Sequence, residues 1–227
     1  MATLLEAIEH FTQKEAEKRD KILLSYFGEN GINRIVNSIC DHLLLPPKLK
    51  GEAQILDVGA GSGLFTVRIA RNLHKTLPKA SLYAMDITPA MLQLLVKKNS
   101  NIIPFLGVAE NIAKSVKLAR KHLNIPAKFD AIYSTLMLHH CINVEKVFQS
   151  MKNVLTPHGK AVIIDLCEHS FKEFKEDMGD VHLGFRLEQI EKDVKNFFTR
   201  VSIEKLPRIC CSSSGRSAEL FVAYVTT

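Results

Sequence analysis

The chain has 227 residues, of which 46% are hydrophobic and 24% are charged, as expected for one α/β domain with a full core. It contains no apolar run near the ~18 residues that a membrane span needs, and its N-terminus lacks a signal-peptide pattern, so we expect a cytoplasmic protein. The formal charge is +6, but the lysines are dispersed among acidic neighbours, which disfavours a nucleic-acid partner.

The first fifty residues show helical periodicity without strand alternation. A break at 27–31 divides them into two predicted helices, the second of which runs to about Leu44 and is ended by the two prolines at 46–47. Residues 1–50 are therefore predicted to be an N-terminal helical cap on the same domain as residues 51–227.

From residue 51 onward, apolar runs of strand length alternate with helical patterns, and the chain closes with a hairpin. The predicted strands are 55–58, 81–85, 102–108, 129–134, 161–166, 201–206 and 220–225, with a loop at 207–218. This order predicts a Rossmann-like, doubly wound α/β sheet of seven strands. Five strands are parallel, and the C-terminal hairpin supplies one antiparallel strand.

Three glycines, Gly59, Gly61 and Gly63, follow the first strand and precede a helix. Glycines at alternate positions allow a tight turn and a close approach by a ligand. A dinucleotide fingerprint would need its third glycine where Leu64 stands, which disfavours a nicotinamide cofactor. The pattern DVGAGSG resembles instead the first motif of class I S-adenosylmethionine-dependent methyltransferases.

The resemblance extends over about residues 52–167 through the ordered motifs LDVGAGSG, LYAMDITPAML, GVAENI, FDAIYSTLMLHH and VLTPHGKAVIID. Together they are similar to the small-molecule branch that includes the ubiquinone/menaquinone-biosynthesis methyltransferases. The segment DLCEHSFKEFKEDMGDVHLGF resembles methyltransferase domains fused to arsenic-repressor-like DNA-binding domains, although no such DNA-binding module is evident. The resemblance implies S-adenosyl-L-methionine as cofactor, S-adenosyl-L-homocysteine as product, and a small, partly apolar methyl acceptor.

Asp86 ends the second predicted strand, where a carboxylate accepts hydrogen bonds from both hydroxyls of a ribose or caps the next helix. Ile87 and residues 107–109 would then form an adenine slot. Many relatives carry an acidic residue where Val108 stands, so Glu110 or backbone groups must contact the adenine amino group here. The predicted cofactor-binding residues are Asp57, Gly59, Ala60, Gly61, Gly63, Asp86, Ile87, Met91, Val108, Ala109 and Ser134.

Asp57 interrupts the first apolar strand, and a buried carboxylate needs hydrogen-bond donors. The amides of the glycine turn and, through water, the ammonium of the cofactor are the expected donors. A purely structural role in holding the turn is the equal alternative.

Candidate bases follow the fourth and fifth strands, because an unperturbed histidine pKa of ≈ 6.5 suits proton transfer near neutrality. The predicted catalytic residues are His140, Asp165 as its orienting partner or as a second base, and His169. His139 and Glu168 are neighbouring candidates. A base is needed only if the acceptor loses a proton, and histidines here also cap helices or pack beneath a cofactor.

The acceptor side is expected to be closed by a lid at 167–185 and by a second wall around Tyr26 and Phe27. No metal-ligand motif is present, so no metal is predicted. The minority alternative is a divalent metal held by acidic and histidine side chains, which are Asp177, Asp180, His182, His140 and His169.

The five cysteines show no C-x-x-C pair or zinc-finger spacing. Cys141, Cys167 and the pair at 210–211 are expected to lie near one edge of the sheet. Converging thiols would suit a metalloid acceptor such as arsenite, and free buried thiols are the simpler interpretation.

Other functions remain open from the residues alone. An RNA or protein methyltransferase is one alternative, although the Asn/Asp-Pro-Pro-aromatic motif of base-amino-group enzymes is replaced by Ser134-Thr135-Leu136-Met137. A non-catalytic S-adenosylmethionine-binding scaffold is another. The sequence carries no signal of oligomeric state.

Overall fold

The structure is a computed structural model that describes residues 13–172, 179–213 and 216–227, with the backbone alone at 13–17, 207–213 and 216–217. Within these residues, no helix has both the length and the apolar character that a bilayer crossing requires.

Helices and strands alternate along most of the described chain. The helices are α1 Gln13–Leu44, α2 Leu64–Leu73, α3 Pro89–Lys98, α4 Ile112–Ala119, α5 Val144–Val154 and α6 Leu187–Lys195. The strands are β1 Gln54–Val58, β2 Ser81–Asp86, β3 Ile103–Leu106, β4 Phe129–Thr135, β5 Leu155–Leu166, β6 Arg200–Ser213 and β7 Arg216–Thr226. Short 3-10 turns lie at Ala109–Asn111 and Leu138–His140.

The strands form one seven-stranded sheet in the order β3-β2-β1-β4-β5-β7-β6. The first five are parallel to their neighbours, whereas β7 runs antiparallel to both β5 and β6. The predicted fold class is confirmed, including the single antiparallel strand. Strand order reverses between β1 and β4, and in open α/β sheets ligands bind beyond the carboxyl ends of the strands at such a point.

Apolar side chains cover both faces of the sheet, which explains why the strands are continuous hydrophobic runs. One face packs against α1, α2 and α3, through residues such as Ile35, Ile69 and Leu95. The other face packs against α4, α5 and α6, through Phe148 and Val194 among others. The result is a three-layer α/β/α arrangement in which the helices leave the carboxyl ends of the strands open for a ligand site.

The predicted break in the N-terminal helices is confined to one residue. Gly28 has φ 60° and ψ 169°, a non-helical conformation that divides α1 into two helical segments at the predicted break. Beyond the bend, Ile32, Ile35 and Ile39 are fully buried against the sheet. Burial of this apolar face holds the second helical segment against the sheet.

The predicted loop at 207–218 is wrong over most of its length. The hairpin continues instead, with β6 reaching Ser213 and β7 beginning at Arg216. Serine and glycine in this stretch suggested a loop, but antiparallel pairing such as Cys211 with Ala218 satisfies the backbone groups.

Lys160 is fully buried in β5 and fastens the end of α1 to the sheet. Its ammonium group donates to the carbonyl oxygen of Leu43 at 3.0 Å and to that of Leu45, and it lies 5.9 Å from the centroid of the Tyr224 ring. The Tyr224 hydroxyl donates to Pro46 O at 2.5 Å. These bonds satisfy carbonyls that the helix end would leave without partners.

Burial lowers the pKa of Lys160 from 10.5 to about 8. Between these values the unfolded chain binds more protons than the folded chain, so the free energy of unfolding should rise with pH in this window. We expect Lys160→Met to remove up to about 3 kcal/mol of that rise. Denaturant unfolding of both proteins across the window measures it, with the exposed Lys79→Met as control. Parallel pH curves for wild type and Lys160→Met would contradict this.

Candidate active site

The glycine turn after β1 is tied to the end of β2 by backbone hydrogen bonds. Gly59 N–H and Ala60 N–H both donate to Met85 O, at 2.8 and 3.1 Å. Gly61 N–H donates to Asp86 Oδ2 at 2.8 Å. The turn and the predicted ribose-binding carboxylate therefore form one rigid unit.

The three glycines have positive φ angles but different surroundings. A Cβ on Gly59 would lie 2.1 Å from Met137 Cγ, and one on Gly63 would lie 2.8 Å from Leu95 Cγ. A Cβ on Gly61 would meet nothing within 4 Å. Gly59 and Gly63 are thus required by packing within the protein, whereas Gly61 faces open space.

Asp86 performs the helix-capping role and still faces the cavity. Its Oδ1 accepts the Thr88 N–H at 2.8 Å, at the start of α3, while Oδ2 accepts the Gly61 N–H. Burial raises the pKa of Asp86, and these backbone donors act in the opposite direction. Each carboxylate oxygen retains acceptor capacity for a ligand hydroxyl.

A cavity of about 630 Å³ begins at the glycine turn and extends to His140, a size typical of small-molecule sites. Its lining includes eight of the predicted cofactor-binding residues: Gly59, Ala60, Gly61, Asp86, Ile87, Met91, Val108 and Ala109. Glu110 also lines it, two residues after Val108.

Three predicted cofactor residues lie outside the cavity lining. Gly63 packs on Leu95. Asp57 is 2% exposed and accepts the Thr66 hydroxyl at 2.7 Å, so its donor is a side chain of α2 rather than a turn amide. Burial raises the pKa of Asp57 to about 7. Ser134 donates to Val58 O at 2.9 Å and joins β4 to β1.

The residues just after Ser134 line the cavity in its place. They are Thr135, Leu136 and Met137. Leu136 has φ +54°, unusual for a residue with a bulky side chain. Its N–H still bonds Ile164 O at 2.8 Å, so the chain turns at this position while attached to β5. The cavity lining therefore begins one residue later than predicted. The positive φ of Leu136 is a local backbone conformation that the sequence pattern does not predict.

Helix α1 supplies one wall of the cavity, but through residues nearer to its N-terminus than the sequence analysis predicted. Arg19 and Leu23 line the cavity, rather than Tyr26 and Phe27. The Asp20 carboxylate accepts hydrogen bonds from the Ser62 hydroxyl and the Lys98 ammonium group, which hold α1 over the glycine turn. Residues four apart on one helix face could have revealed this wall.

Asp165 pairs with His139, not with the predicted partner His140. Its Oδ1 lies 2.6 Å from His139 Nδ1, and its Oδ2 accepts the Leu138 N–H at 2.7 Å. Burial alone would lower the pKa of His139, but the Asp165 carboxylate raises it overall. At 4% exposure, His139 lies outside the cavity lining, so it supports the site from behind.

His140 faces the cavity. Burial, together with the neighbouring His139 and Arg19, lowers its pKa well below the ordinary histidine value. Arg19 Nη2 lies 3.4 Å from His140 Nε2, and because a guanidinium has no acceptor, this ring nitrogen must offer its lone pair. The imidazole is therefore neutral near pH 7.

His169, a predicted catalytic residue, lies outside the cavity lining. Its Nδ1 accepts the Phe171 N–H at 3.2 Å, and its ring stacks on Phe171 with centroids 5.1 Å apart. Its position follows from the fold, because Glu168 N–H and His169 N–H bond to Phe185 O and Leu183 O.

The end of the predicted lid is fastened to the 3-10 turn at Leu138–His140. Val181 N–H and His182 N–H both donate to His139 O, at 3.0 and 2.9 Å. His182 Nε2 lies 2.9 Å from Cys141 O. Gly179 and Val181 line the cavity. Asp177, named in the alternative metal set, lies outside the described residues.

The described thiols are poorly suited to a metalloid. Burial raises the pKa of Cys167 to about 11 and that of Cys141 well above its ordinary value. The thiolate is the form that binds soft ions. The side chains of Cys210 and Cys211 lie outside the described residues.

The family model described as a methyltransferase domain matches residues 56–163. The human EEF1A lysine methyltransferase 2 is 26% identical over 88% of this chain and 74% of its own length. The ubiquinone/menaquinone biosynthesis C-methyltransferase of Wigglesworthia glossinidia brevipalpis is 28% identical over 67% of this chain and 56% of its own length. Across the curated relatives that it matches, the chain spans 6% to 74% of their length.

Solved structures show the same fold. The phosphoethanolamine N-methyltransferase 2 of Haemonchus contortus, in complex with S-adenosyl-L-methionine, superposes with a TM-score of 0.66 and 16% identity, covering 95% of this chain and 57% of that one. The resemblance to methyltransferases and their ubiquinone/menaquinone branch is confirmed.

The variants Gly61→Ala and Gly63→Ala distinguish backbone strain from steric overlap with a neighbouring side chain. Both impose a positive φ on alanine, at a cost of about 1–2 kcal/mol, but only Gly63→Ala also forces a methyl group against Leu95. We expect Gly63→Ala to lower the free energy of unfolding by about 1–3 kcal/mol more than Gly61→Ala. Urea unfolding measures this, and equal losses would contradict the packing role of Gly63.

Proposed function

We propose that the chain is an S-adenosylmethionine-dependent methyltransferase that methylates a small, partly apolar molecule, since residues 56–163 match the methyltransferase domain family. The observation that supports this is the cavity of about 630 Å³, which begins at the glycine turn and ends at His140 beneath α1. Its mixed lining of methionine, leucine and isoleucine with a few polar groups suits a small organic acceptor.

The residues at the turn fit the cofactor. Gly61 leaves open space where a Cβ would stand, and Asp86 presents a carboxylate already fixed by two backbone donors. Such a carboxylate binds ribose hydroxyls without first having to be ordered. Ile87 and Val108 supply apolar walls for the adenine ring. When bound, S-adenosylmethionine supplies a methyl group on a positively charged sulfur.

The protein contributes mainly position and exclusion of water. Asp20 fastens α1 over the turn, and Arg19 and Leu23 of the same helix line the cavity. Holding two reactants in contact and away from water accounts for much of the acceleration in transfers of this kind.

His140 is the proposed contact with the acceptor. It lines the cavity, and its lowered pKa keeps the ring neutral, able to accept a hydrogen bond or a proton from the acceptor. The proposed roles of Asp165 and His169 therefore differ from those predicted from the sequence. Asp165 acts through His139, as a positioning residue, and His169 has no proposed role in transfer.

A protein lysine acceptor is the second candidate, because a lysine methyltransferase is among the relatives that cover most of the chain. Electrostatics favour the small molecule. The guanidinium of Arg19 lies at the same end of the cavity as His140, and a positive charge there repels a lysine ammonium. It favours a neutral or anionic acceptor.

Asp86→Ala should weaken binding of S-adenosylhomocysteine at least tenfold, because hydrogen bonds to a charged group contribute about 1.5–3 kcal/mol. Titration calorimetry measures the affinity. Asp130→Ala is the matched control, since Asp130 also accepts a backbone N–H, from Gln54 at 2.8 Å, but at the opposite edge of the sheet. Unchanged affinity in Asp86→Ala would refute the cofactor assignment.

Turnover with radiolabelled methyl donor tests the acceptor class. We expect methyl transfer to small hydroxyl, thiol or carboxyl compounds, and none to lysine peptides or RNA. With such an acceptor, His140→Gln should lower kcat by roughly a hundredfold or more while S-adenosylhomocysteine affinity stays unchanged. Transfer to lysine peptides but not to small molecules would decide for the second candidate.

A further inference from the structure

Three potential metal ligands meet behind the acceptor end of the cavity. Asp180 Oδ1 lies 3.5 Å from His139 Nε2 and 3.6 Å from His140 Nδ1, and the ligand atoms of the three residues all lie within 4.8 Å of one another. Two ligands bound tetrahedrally to one zinc ion stand about 3.4 Å apart. We propose that His139, His140 and Asp180 form a binding site for a divalent transition-metal ion of the zinc type.

The hydrogen-bond geometry around His139 favours a cation between these atoms. His139 Nδ1 is 2.6 Å from Asp165 Oδ1, so it carries the hydrogen of this bond. In the neutral ring, Nε2 then directs a lone pair at Asp180 Oδ1, 3.5 Å away. Two acceptors facing each other at that distance repel, and a positive charge between them removes the repulsion.

Asp180 provides an independent observation. It is 4% exposed, and within the described part of the chain its Oδ1 has no hydrogen-bond partner. Leaving a carboxylate oxygen buried in this way is costly. A metal ion would satisfy it, and His140 Nδ1, which lies 3.4 Å from Gly179 O, would then give up its hydrogen.

The surroundings hold the ligands as metal sites require. Asp165 accepts from the non-ligating nitrogen of His139, the carboxylate–histidine arrangement that orients ligands and strengthens their basicity. The bonds from Val181 N–H and His182 N–H to His139 O fix the Asp180 segment relative to the histidines. These hydrogen bonds therefore hold the three ligands in fixed relative positions, although His139 and Asp180 are 41 residues apart in the chain.

Arg19 opposes the ion. Its guanidinium lies 3.4 Å from His140 Nε2, and a metal on Nδ1 would leave the ring hydrogen on Nε2, so this contact must break. Metal binding therefore displaces Arg19, and removing its charge should tighten binding. The competing cation is a proton, which would make His139 an imidazolium between Asp165 and Asp180.

A metal ion at this site would have an open coordination position for the methyl acceptor. His140 lines the cavity, and two-histidine, one-carboxylate sets leave further coordination positions open. A hydroxyl or thiol bound there has a lowered pKa. This role rests on the proposed methyl transfer, whereas binding of the ion does not.

The test is metal binding by the full chain without any methyl donor. After treatment with a chelator, the protein is titrated with Zn²⁺ against a chromophoric competitor, and with Co²⁺ to record the visible spectrum of the site. We expect one equivalent of each ion and a tetrahedral Co²⁺ spectrum. His139→Gln and Asp180→Asn should each weaken Zn²⁺ binding at least tenfold, and Arg19→Met should strengthen it.

His122→Gln, at an exposed histidine, is the control for adventitious binding and should change nothing. Thermal unfolding and S-adenosylhomocysteine affinity confirm that each variant is folded, independently of the ion. Less than one equivalent on the wild type, or equal Zn²⁺ affinity in wild type and Asp180→Asn, would overturn the proposal in favour of a proton. Failure of Asp86→Ala to weaken cofactor binding would affect the proposed function but not this site.

Discussion

The hydrogen bond from Gly61 N–H to Asp86 is the constraint on which the site depends. Parallel strands β1 and β2 deliver the turn and the carboxylate to one edge of the sheet, and this bond fixes their separation. The same carboxylate begins α3 through Thr88 N–H. A structural role and the proposed ligand-binding role can therefore coincide in Asp86, because each oxygen has capacity for more than one donor.

The cavity has two ends of different chemistry. The turn end has an acidic side chain and backbone amides, as a nucleoside requires. The far end has the imidazole of His140 and the guanidinium of Arg19, which under the proposed function would disfavour a positively charged acceptor. Helix α1 closes both ends at once, since Asp20 contacts the turn while Arg19, one residue earlier, reaches His140. A change in α1 is thus expected to affect both ligands together.

Adjacent histidines at the end of β4 have separate environments. His139 turns inward to Asp165, whereas His140 turns outward to the cavity. Asp180 stands near both, at 3.5 and 3.6 Å. The arrangement explains the opposite directions of their pKa shifts, since a carboxylate partner stabilises one imidazolium and burial beside two cationic groups destabilises the other.

The sequence alone determined the order of strands, the glycine turn and the position of Asp86. These follow from short-range periodicity and from glycine's access to positive φ, both of which are local. Tertiary structure alone decided which partner each polar side chain received. Asp165 reached His139 rather than His140, Ser134 turned to Val58, and Asp180 arrived beside two histidines about forty residues earlier. Such pairings depend on backbone turns and packing between distant segments, and spacing along the chain carries no record of them.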